Sequence, residues 1–136
     1  RSAGTATWPQ EVDATKYTVV RVLLHSHLDV ADSPEEDRAF VQLSTDEFQG
    51  CCGSTDPCTA ELPALCNTAG TQTFEVSHNA VPVYPYNFPP EWVRLDLDAS
   101  KFAGKKFKIR LRFDTVTVYA NDRSGWFVDD LRVHGK

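Results

Sequence analysis

The chain has 136 residues, of which 41% are hydrophobic, so it is long enough for one domain with a buried core. Its formal net charge of −5 argues against nucleic acid or an anionic membrane as the main partner, because both are bound through clustered Lys and Arg. No apolar run approaches the ~18 residues of a membrane span, and the first residues, RSAGTATWPQ, do not resemble a signal peptide. We expect a single domain over residues 1–136, and the absence of Met predicts that it was processed or excised from a longer protein.

Hydrophobic residues alternate with polar ones along most of the chain, which predicts β-strands. The first run is TVVRVLLHSHLDV, residues 18–30, where Ser26 interrupts an otherwise apolar face. AFVQLST, TQTFEVS and EWVRLDLD follow at residues 39–45, 71–77 and 91–98, and each run places Val, Leu or Phe side chains on one face. Only ASKFAG, residues 99–104, predicts a short helical turn.

KFKIRLRF, residues 106–113, alternates without a fault. Its apolar side chains share one face, and the other face, which we expect to be solvated, carries Lys106, Lys108, Arg110 and Arg112. Turn-forming segments separate the runs: ADSPEED, the cysteine-containing loop, VPVYPYNFPP and YANDRSG. Several short antiparallel strands with polar connections predict an all-β fold, an antiparallel two-sheet β-sandwich.

The last predicted strand, GWFVDDLRV, residues 125–133, allows two arrangements. In regular alternation, Phe127 and Asp129 lie on the same face as Leu131. If Trp126 faces the core instead, reaching Leu131 requires an extra residue, a β-bulge, at the Asp129/Asp130 pair. Either arrangement leaves a carboxylate at or beside a buried row, where its burial costs several kcal/mol unless a partner neutralises it.

The cysteines fall within the loop at residues 49–70, which is rich in Pro, Thr and Asp, and they are Cys51, Cys52, Cys58 and Cys66. Such a cluster predicts two local disulfides and hence an oxidising, extracellular compartment. Cys51 and Cys52 are adjacent and are not expected to bond to each other, which leaves two pairings open. A zinc site is the less favoured alternative, because no CxxC pair occurs here.

Three segments resemble the MAM-like jelly-roll domains of secreted bacterial proteins: HLDVADSPEEDRAFVQLSTD, EWVRLDLDASKFAGKKFKIRLRFDT and GWFVDDLRV. Such domains occur beside immune-inhibitor-A-type metallopeptidases and in choice-of-anchor surface proteins. The resemblance implies a MAM-like or galactose-binding-like jelly roll, which serves as a calcium-stabilised accessory module without catalytic activity. The family also has a further N-terminal strand pair, whereas only RSAGTATWPQEVD precedes residue 14 here. The resemblance therefore implies a trimmed domain, or first strands that lie in a separate piece.

The same resemblance implies a calcium site, because a hard cation with oxygen ligands would neutralise carboxylates near the core. An acidic residue that often follows the first long strand of the family falls on Ala31, so Asp29 or Asp32 would take its place. The full predicted ligand set is Asp29, Asp32, Asp37, Asp129 and Asp130. In the alternative, the Asp at the bulge accepts backbone N–H groups or pairs with Arg112 or Arg132.

HSHLD offers a second candidate metal site. On a strand, His25, His27 and Asp29 share one face, with neighbours about 6.5 to 7 Å apart, a spacing that suits zinc or another transition metal. The alternative, which we favour, is that these histidines lie on a solvated or groove-lining face.

The segment VPVYPYNFPPEW gathers aromatic side chains among prolines that stiffen the backbone. Flat rings on such a loop suit stacking on sugar rings or on a partner's apolar surface, so Tyr84, Tyr86 and Trp92 are the predicted ligand-binding residues. In the alternative, which is favoured for Phe88 and Trp92, the rings cap an open edge of the sandwich. No GxSxG, HExxH or CxxC motif occurs, so we expect no enzyme activity in this chain alone.

The first functional hypothesis is a secreted binding module for carbohydrate or a cell-surface protein, within a larger polypeptide. The second is a structural domain that packs on a catalytic unit, such as a peptidase, of the same polypeptide. The two differ in surface, because a binding module exposes aromatic side chains around a groove, whereas a packing module exposes a flat apolar patch of several hundred Å². A metalloenzyme that uses His25 and His27 is the least favoured hypothesis.

Overall fold

The computed structural model describes residues 2–30, 37–48, 70–77, 91–115 and 124–136. In these ranges the elements, in chain order, are β1 (Ser2–Thr7), β2 (Val12–Asp13), β3 (Val20–Asp29), β4 (Asp37–Ser44), β5 (Thr71–Glu75), β6 (Trp92–Asp98), a 3₁₀ turn (Ser100–Phe102), β7 (Lys106–Thr115) and β8 (Gly125–Gly135). No helix among these residues is long and apolar enough to span a membrane.

Two antiparallel sheets pack against each other, which confirms the predicted all-β sandwich. The larger sheet has the order β1, β7, β4, β5, and β2 pairs with β7 beyond the end of β1. The smaller sheet has the order β6, β3, β8, so β3 is its central strand. The pairings join strands that are distant in sequence, because β7 lies between β1 and β4 and β3 lies between β6 and β8.

The core lies between the sheets and contains the apolar rows that the alternation predicts. Its fully buried members include Val20, Val22, Leu24, Val41, Leu43, Leu95, Phe107 and Ile109. Ser26, which interrupts the row of β3, is also buried. Its hydroxyl oxygen accepts a hydrogen bond from the indole Nε1 of Trp126 at 2.9 Å, so the polar group has a partner within the core.

The outer face of the larger sheet corrects the prediction of a solvated face on β7. Arg110 and Arg112 are buried there, with 6% and 3% of their surface exposed. The ring of Phe48 covers the Arg110 guanidinium, at 4.1 Å from the ring centroid, and the side-chain oxygen of Gln42 accepts a hydrogen bond from Arg110 Nε at 2.8 Å. Because an aromatic ring and an amide replace water around this arginine, charge alternation alone predicted the wrong environment.

β4 is buried on both faces for the same reason. All eight of its residues are buried, and Phe40 and Gln42 on the outer side are as inaccessible as Val41 and Leu43 on the inner side. Arg38 forms an ion pair with Glu75 of the neighbouring strand and also lies over the ring of Phe40. The outer side of β4 is therefore a layer of paired polar groups rather than a solvated surface.

The 3₁₀ turn confirms the short helical turn predicted in ASKFAG. Asp98 precedes this turn and accepts a hydrogen bond from the backbone N–H of Ser100 at 3.0 Å. Hydrogen bonds from the Ser100 side chain and backbone lower the pKa of Asp98 below its ordinary value. The buried ring of Phe102 anchors the turn against Phe107, with ring centroids 5.2 Å apart.

Candidate functional site

A β-bulge in β8 shapes the outer face of the smaller sheet. Leu23 of β3 pairs with Arg132 and His25 pairs with Asp129, so the single residue between Leu23 and His25 faces two residues of β8. Asp130, the first of these two, has a φ of 56°, in the left-handed region that Asp tolerates better than most residues. The bulge confirms the second arrangement predicted for this strand.

The extra residue reverses the alternation of β8. Trp126 and Val128 precede the bulge, Leu131 and Val133 follow it, and all four pack against the core. Phe127 points outward with 46% of its surface exposed, and Asp129 is exposed beside it. Regular alternation, with Phe127 and Asp129 on the core face, was therefore the wrong arrangement.

Asp130 is neutralised by protein groups on the outer face. Arg132 donates from Nε and Nη2 to the two carboxylate oxygens of Asp130, at 2.7 and 2.8 Å. His25 Nδ1 lies 3.4 Å from one of these oxygens. The carboxylate of Asp129 accepts the backbone N–H of Asp130 at 2.7 Å. These are the contacts expected of the alternative to calcium, a bulge that is satisfied by a backbone N–H and by Arg132.

A row of aromatic rings crosses the smaller sheet on its outer face. We call it the aromatic row, and it consists of Trp92 on β6, His27 on β3 and Phe127 on β8, which are direct cross-strand partners. The His27 ring lies 5.4 Å from the Trp92 ring and 5.8 Å from the Phe127 ring, between centroids. Trp92 and Phe127 are 55% and 46% exposed, so two large apolar side chains face solvent on either side of a histidine.

A second row runs parallel to the first, one step along each strand. This polar row consists of Arg94 on β6, His25 on β3 and Asp129 on β8, which the register also places opposite one another. Arg94 and His25 contribute to a shallow groove of about 240 Å³. The Cα atoms of this polar row therefore lie about 6.5 to 7 Å along the strands from those of the aromatic row, and its side chains carry both charge signs.

The other arginines of this face are held by carboxylates. Arg21 donates from Nε to Asp96 at 2.8 Å, and this hydrogen bond raises the pKa of Arg21 above its ordinary value. Arg132 is held by Asp130. Arg94 differs, because it forms neither a hydrogen bond nor an ion pair with any residue in the part of the chain that the structure describes.

Two of the predicted calcium ligands, Asp29 and Asp129, lie apart on the smaller sheet. Asp129 pairs with His25, which is four residues from Asp29 on β3, so the backbone positions of the two aspartates are about 13 Å apart along the strands. Asp37 begins β4 in the other sheet and is 4% exposed, and Asp32 lies outside the described residues. Among the residues that the structure describes, no group of three or more His, Cys, Asp or Glu side chains could hold a metal ion.

His25, His27 and Asp29 share the outer face of β3, as the sequence pattern predicts. Each of the three has a separate environment: His25 is next to Asp130, His27 packs against two rings, and Asp29 accepts the backbone N–H of Ser124 at 3.1 Å. The three side chains therefore share one face but contact different partners, and they are not arranged as ligands around one point.

The structure brings one predicted ligand-binding residue, Trp92, into the candidate site. Capping of the sandwich edge was the wrong role for this residue, because Trp92 is exposed on the outer face. Tyr84, Tyr86 and the cysteines Cys51, Cys52, Cys58 and Cys66 lie outside the described residues. Sequence reasoning missed Arg94, although the alternation of EWVRLDLD places it on the same face as Trp92. It also missed Phe127, whose direction depends on the bulge.

No protein-family model matches the chain, and no curated protein matches it.

Proposed function

We propose that the chain is a non-catalytic carbohydrate-binding module, and that the outer face of the smaller sheet is its binding surface. The observation that carries this proposal is the aromatic row of Trp92, His27 and Phe127. Trp92 and Phe127 are exposed, and the row lies on a sheet beside a row of charged and hydrogen-bonding groups. An accessory role within a secreted protein agrees with the resemblance to MAM-like jelly-roll domains.

The chemistry of sugars fits both rows. One face of a pyranose ring presents C–H groups, which pack on an aromatic ring, while its hydroxyls point outward and require hydrogen-bond partners. Trp92 and Phe127 stand on strands separated by β3, about 10 Å apart, which is comparable to the length of a disaccharide. Because these positions lie on paired strands, the binding surface is formed before the ligand arrives, which lowers the entropic cost of binding.

Binding by variants with one ring removed tests the proposal. We expect Trp92→Ala and Phe127→Ala each to weaken binding of a glycan identified by array screening at least tenfold, which is about 1.4 kcal/mol or more. Trp8→Ala is the matched control, since Trp8 is 45% exposed and follows β1 in the larger sheet. Isothermal titration calorimetry gives the affinities. A Trp92→Ala variant that binds like the parent, or a parent that binds no glycan, would refute the proposal.

A second candidate function is packing on a catalytic unit of the same polypeptide, and an apolar cleft between β1 and β8 favours it. The cleft has a volume of about 580 Å³, and its lining includes Ala6, Leu111, Phe113 and Val128. Gly4 of β1 also lines the cleft, and a Cβ atom added at this position would meet nothing within 4 Å, so the space beside β1 is open. If this candidate is right, hydrogen exchange in β1 is slower in the longer polypeptide than in the isolated domain, and equal rates would exclude packing there.

Calcium binding is a separate proposal, supported by Asp29 at the end of β3 and the buried Asp37 at the start of β4. Thermal melts after EGTA treatment, with Ca²⁺, Mg²⁺ or Zn²⁺ added back, test it. An ion at 100 times its dissociation constant adds about 2.7 kcal/mol, which raises the midpoint by several degrees. A rise in the thermal midpoint with Ca²⁺ that Asp29→Asn abolishes would support the calcium site. If no ion shifts the midpoint, the calcium proposal is wrong. A rise with Zn²⁺ alone would indicate a zinc site at His25 and His27.

A further inference from the structure

We infer that the outer face selects a glycan in which an acidic sugar alternates with a neutral one, with the sugar carboxylate held by Arg94. This inference rests on the proposed carbohydrate-binding function and goes beyond it by naming the ligand class. It follows from an asymmetry between the two ends of the polar row, where a cation stands beside Trp92 and an anion stands beside Phe127.

Arg94 is the cation that is available to a ligand. Arg21 and Arg132 on the same face each donate to a carboxylate at 2.7 to 2.8 Å, whereas Arg94 is exposed and has no such contact with the residues that the structure describes. A guanidinium presents two parallel N–H donors that match the two oxygens of a carboxylate. An acidic ligand can therefore bind Arg94 without breaking an existing ion pair.

The position of Arg94 relative to Trp92 suits a uronic acid. The two residues are two positions apart on β6 and point to the same side, so their Cα atoms are about 6.5 to 7 Å apart. The carboxylate of a uronic acid is attached directly to the sugar ring. When that ring stacks on Trp92, its carboxylate extends toward the long side chain of Arg94, which needs no backbone movement to meet it.

The Phe127 end of the site favours a neutral sugar. Asp129 stands two positions from Phe127 on β8 and uses one carboxylate oxygen for the backbone N–H of Asp130. Its other oxygen can accept a hydrogen bond from a sugar hydroxyl, but it repels a second acid. Among the residues that the structure describes, this face carries more carboxylates than guanidinium groups, with Asp29, Asp96, Asp98, Asp129 and Asp130 against Arg21, Arg94 and Arg132. Uniform polyanions are therefore disfavoured, and one acid per disaccharide fits best.

The experiment compares three hexasaccharides by isothermal titration calorimetry at low salt. One repeats glucuronic acid and N-acetylglucosamine, the second is the same molecule with its carboxyl groups reduced to alcohols, and the third contains only galacturonic acid. We expect the parent to bind the first at least tenfold more tightly than the second or the third. Arg94→Gln should reduce the ratio of the first two affinities to about one without weakening the neutral oligosaccharide. The control Lys106→Gln removes an exposed charge from the larger sheet and should leave every affinity unchanged.

The outcomes separate the inference from the proposed function. If Arg94→Gln keeps the preference for the acidic oligosaccharide, or if the parent binds the reduced form equally well, the inference is wrong, while binding that depends on Trp92 still supports a carbohydrate module. If the uniform acid binds most tightly, the role of Asp129 is wrong. If none of the three oligosaccharides binds and the glycan array is also negative, both the inference and the proposed function fail.

Discussion

The conformation of Asp130 yields a prediction whose size can be worked out from the structure. Its φ of 56° places a residue with a side chain in the left-handed region, which costs most residues about 1 to 2 kcal/mol and costs Asp, Asn and Gly less. Its ion pair with Arg132 is partly exposed, 37% for Asp130 and 60% for Arg132, so that pair contributes about 0 to 1 kcal/mol. Replacing Asp130 by Ala removes the ion pair and adds the backbone cost.

We therefore expect Asp130→Ala to lower the free energy of unfolding by about 1 to 2 kcal/mol in urea denaturation, which is roughly 4 °C in the thermal midpoint for each kcal/mol. Asp130→Gly should be about 1 kcal/mol more stable than Asp130→Ala, although both lack the carboxylate, and Asp130→Asn should stay close to the parent. Equal stability of the Ala and Gly variants would refute the role of backbone conformation. If Ca²⁺ raises the thermal midpoint of the unsubstituted protein but not that of Asp130→Asn, the Asp130 carboxylate is a metal ligand.

Three further predictions concern the framework of the sandwich. Trp126→Phe leaves the buried hydroxyl of Ser26 without its donor and should cost about 1 to 3 kcal/mol, and adding Ser26→Ala should recover part of that loss in a double-mutant cycle measured in urea. Gly70→Ala should destabilise the domain by about 1 to 3 kcal/mol, because the added methyl group would overlap the Asp46 carboxylate, which hydrogen bonds from Ser44 and Thr71 hold in place. A thermal midpoint equal to that of the unsubstituted protein would contradict this. The lowered pKa of Asp98 stabilises the fold above the unfolded pKa of about 4, and this stabilisation is lost as the pH falls through the lower folded value. As the pH falls below about 5, Asp98→Asn should thus lose less stability than the unsubstituted protein in thermal melts.

The sequence predicted the inner face of the sandwich well, because alternation reports burial directly when only one side of a strand is covered. The rows on β3, β6 and β7 lie in or against the core as expected. β1 was missed because Ser2–Thr7 consists of small residues without an alternating apolar row. Its strand conformation comes from pairing with β7, and that contact is not encoded locally.

The outer faces were harder to predict, because their environment depends on contacts from elsewhere in the chain. The charges of Arg110 and Arg112 alone predict that both side chains face solvent. The ring of Phe48 and neighbouring polar groups nevertheless cover that side of the sheet. The size and hydrophobicity of Trp92 favoured a role in capping an open edge of the sandwich. The pairing of β6 with β3 instead places Trp92 beside His27, where its ring faces solvent. Only the register of three strands makes the aromatic row visible, since its members are distant in sequence.

The bulge connects the fold to the proposed site. Without an extra residue, the side chains at 127, 129, 131 and 133 would share one face, and β8 would have to bury Phe127 and Asp129 or expose Leu131 and Val133. Asp130 supplies the extra residue at low cost, because Asp tolerates a positive φ and its carboxylate pairs with Arg132. The same strand can therefore place apolar side chains in the core on both sides of the bulge and still present Phe127 and Asp129 to a ligand.

Two changes at Asp130 test this role of the bulge. Asp130→Gly preserves the bulge and should keep glycan binding. Deletion of Asp130 should abolish glycan binding together with cooperative folding, as followed by near-UV circular dichroism. If the deletion variant folds and binds, the bulge is not what places Phe127 in the site.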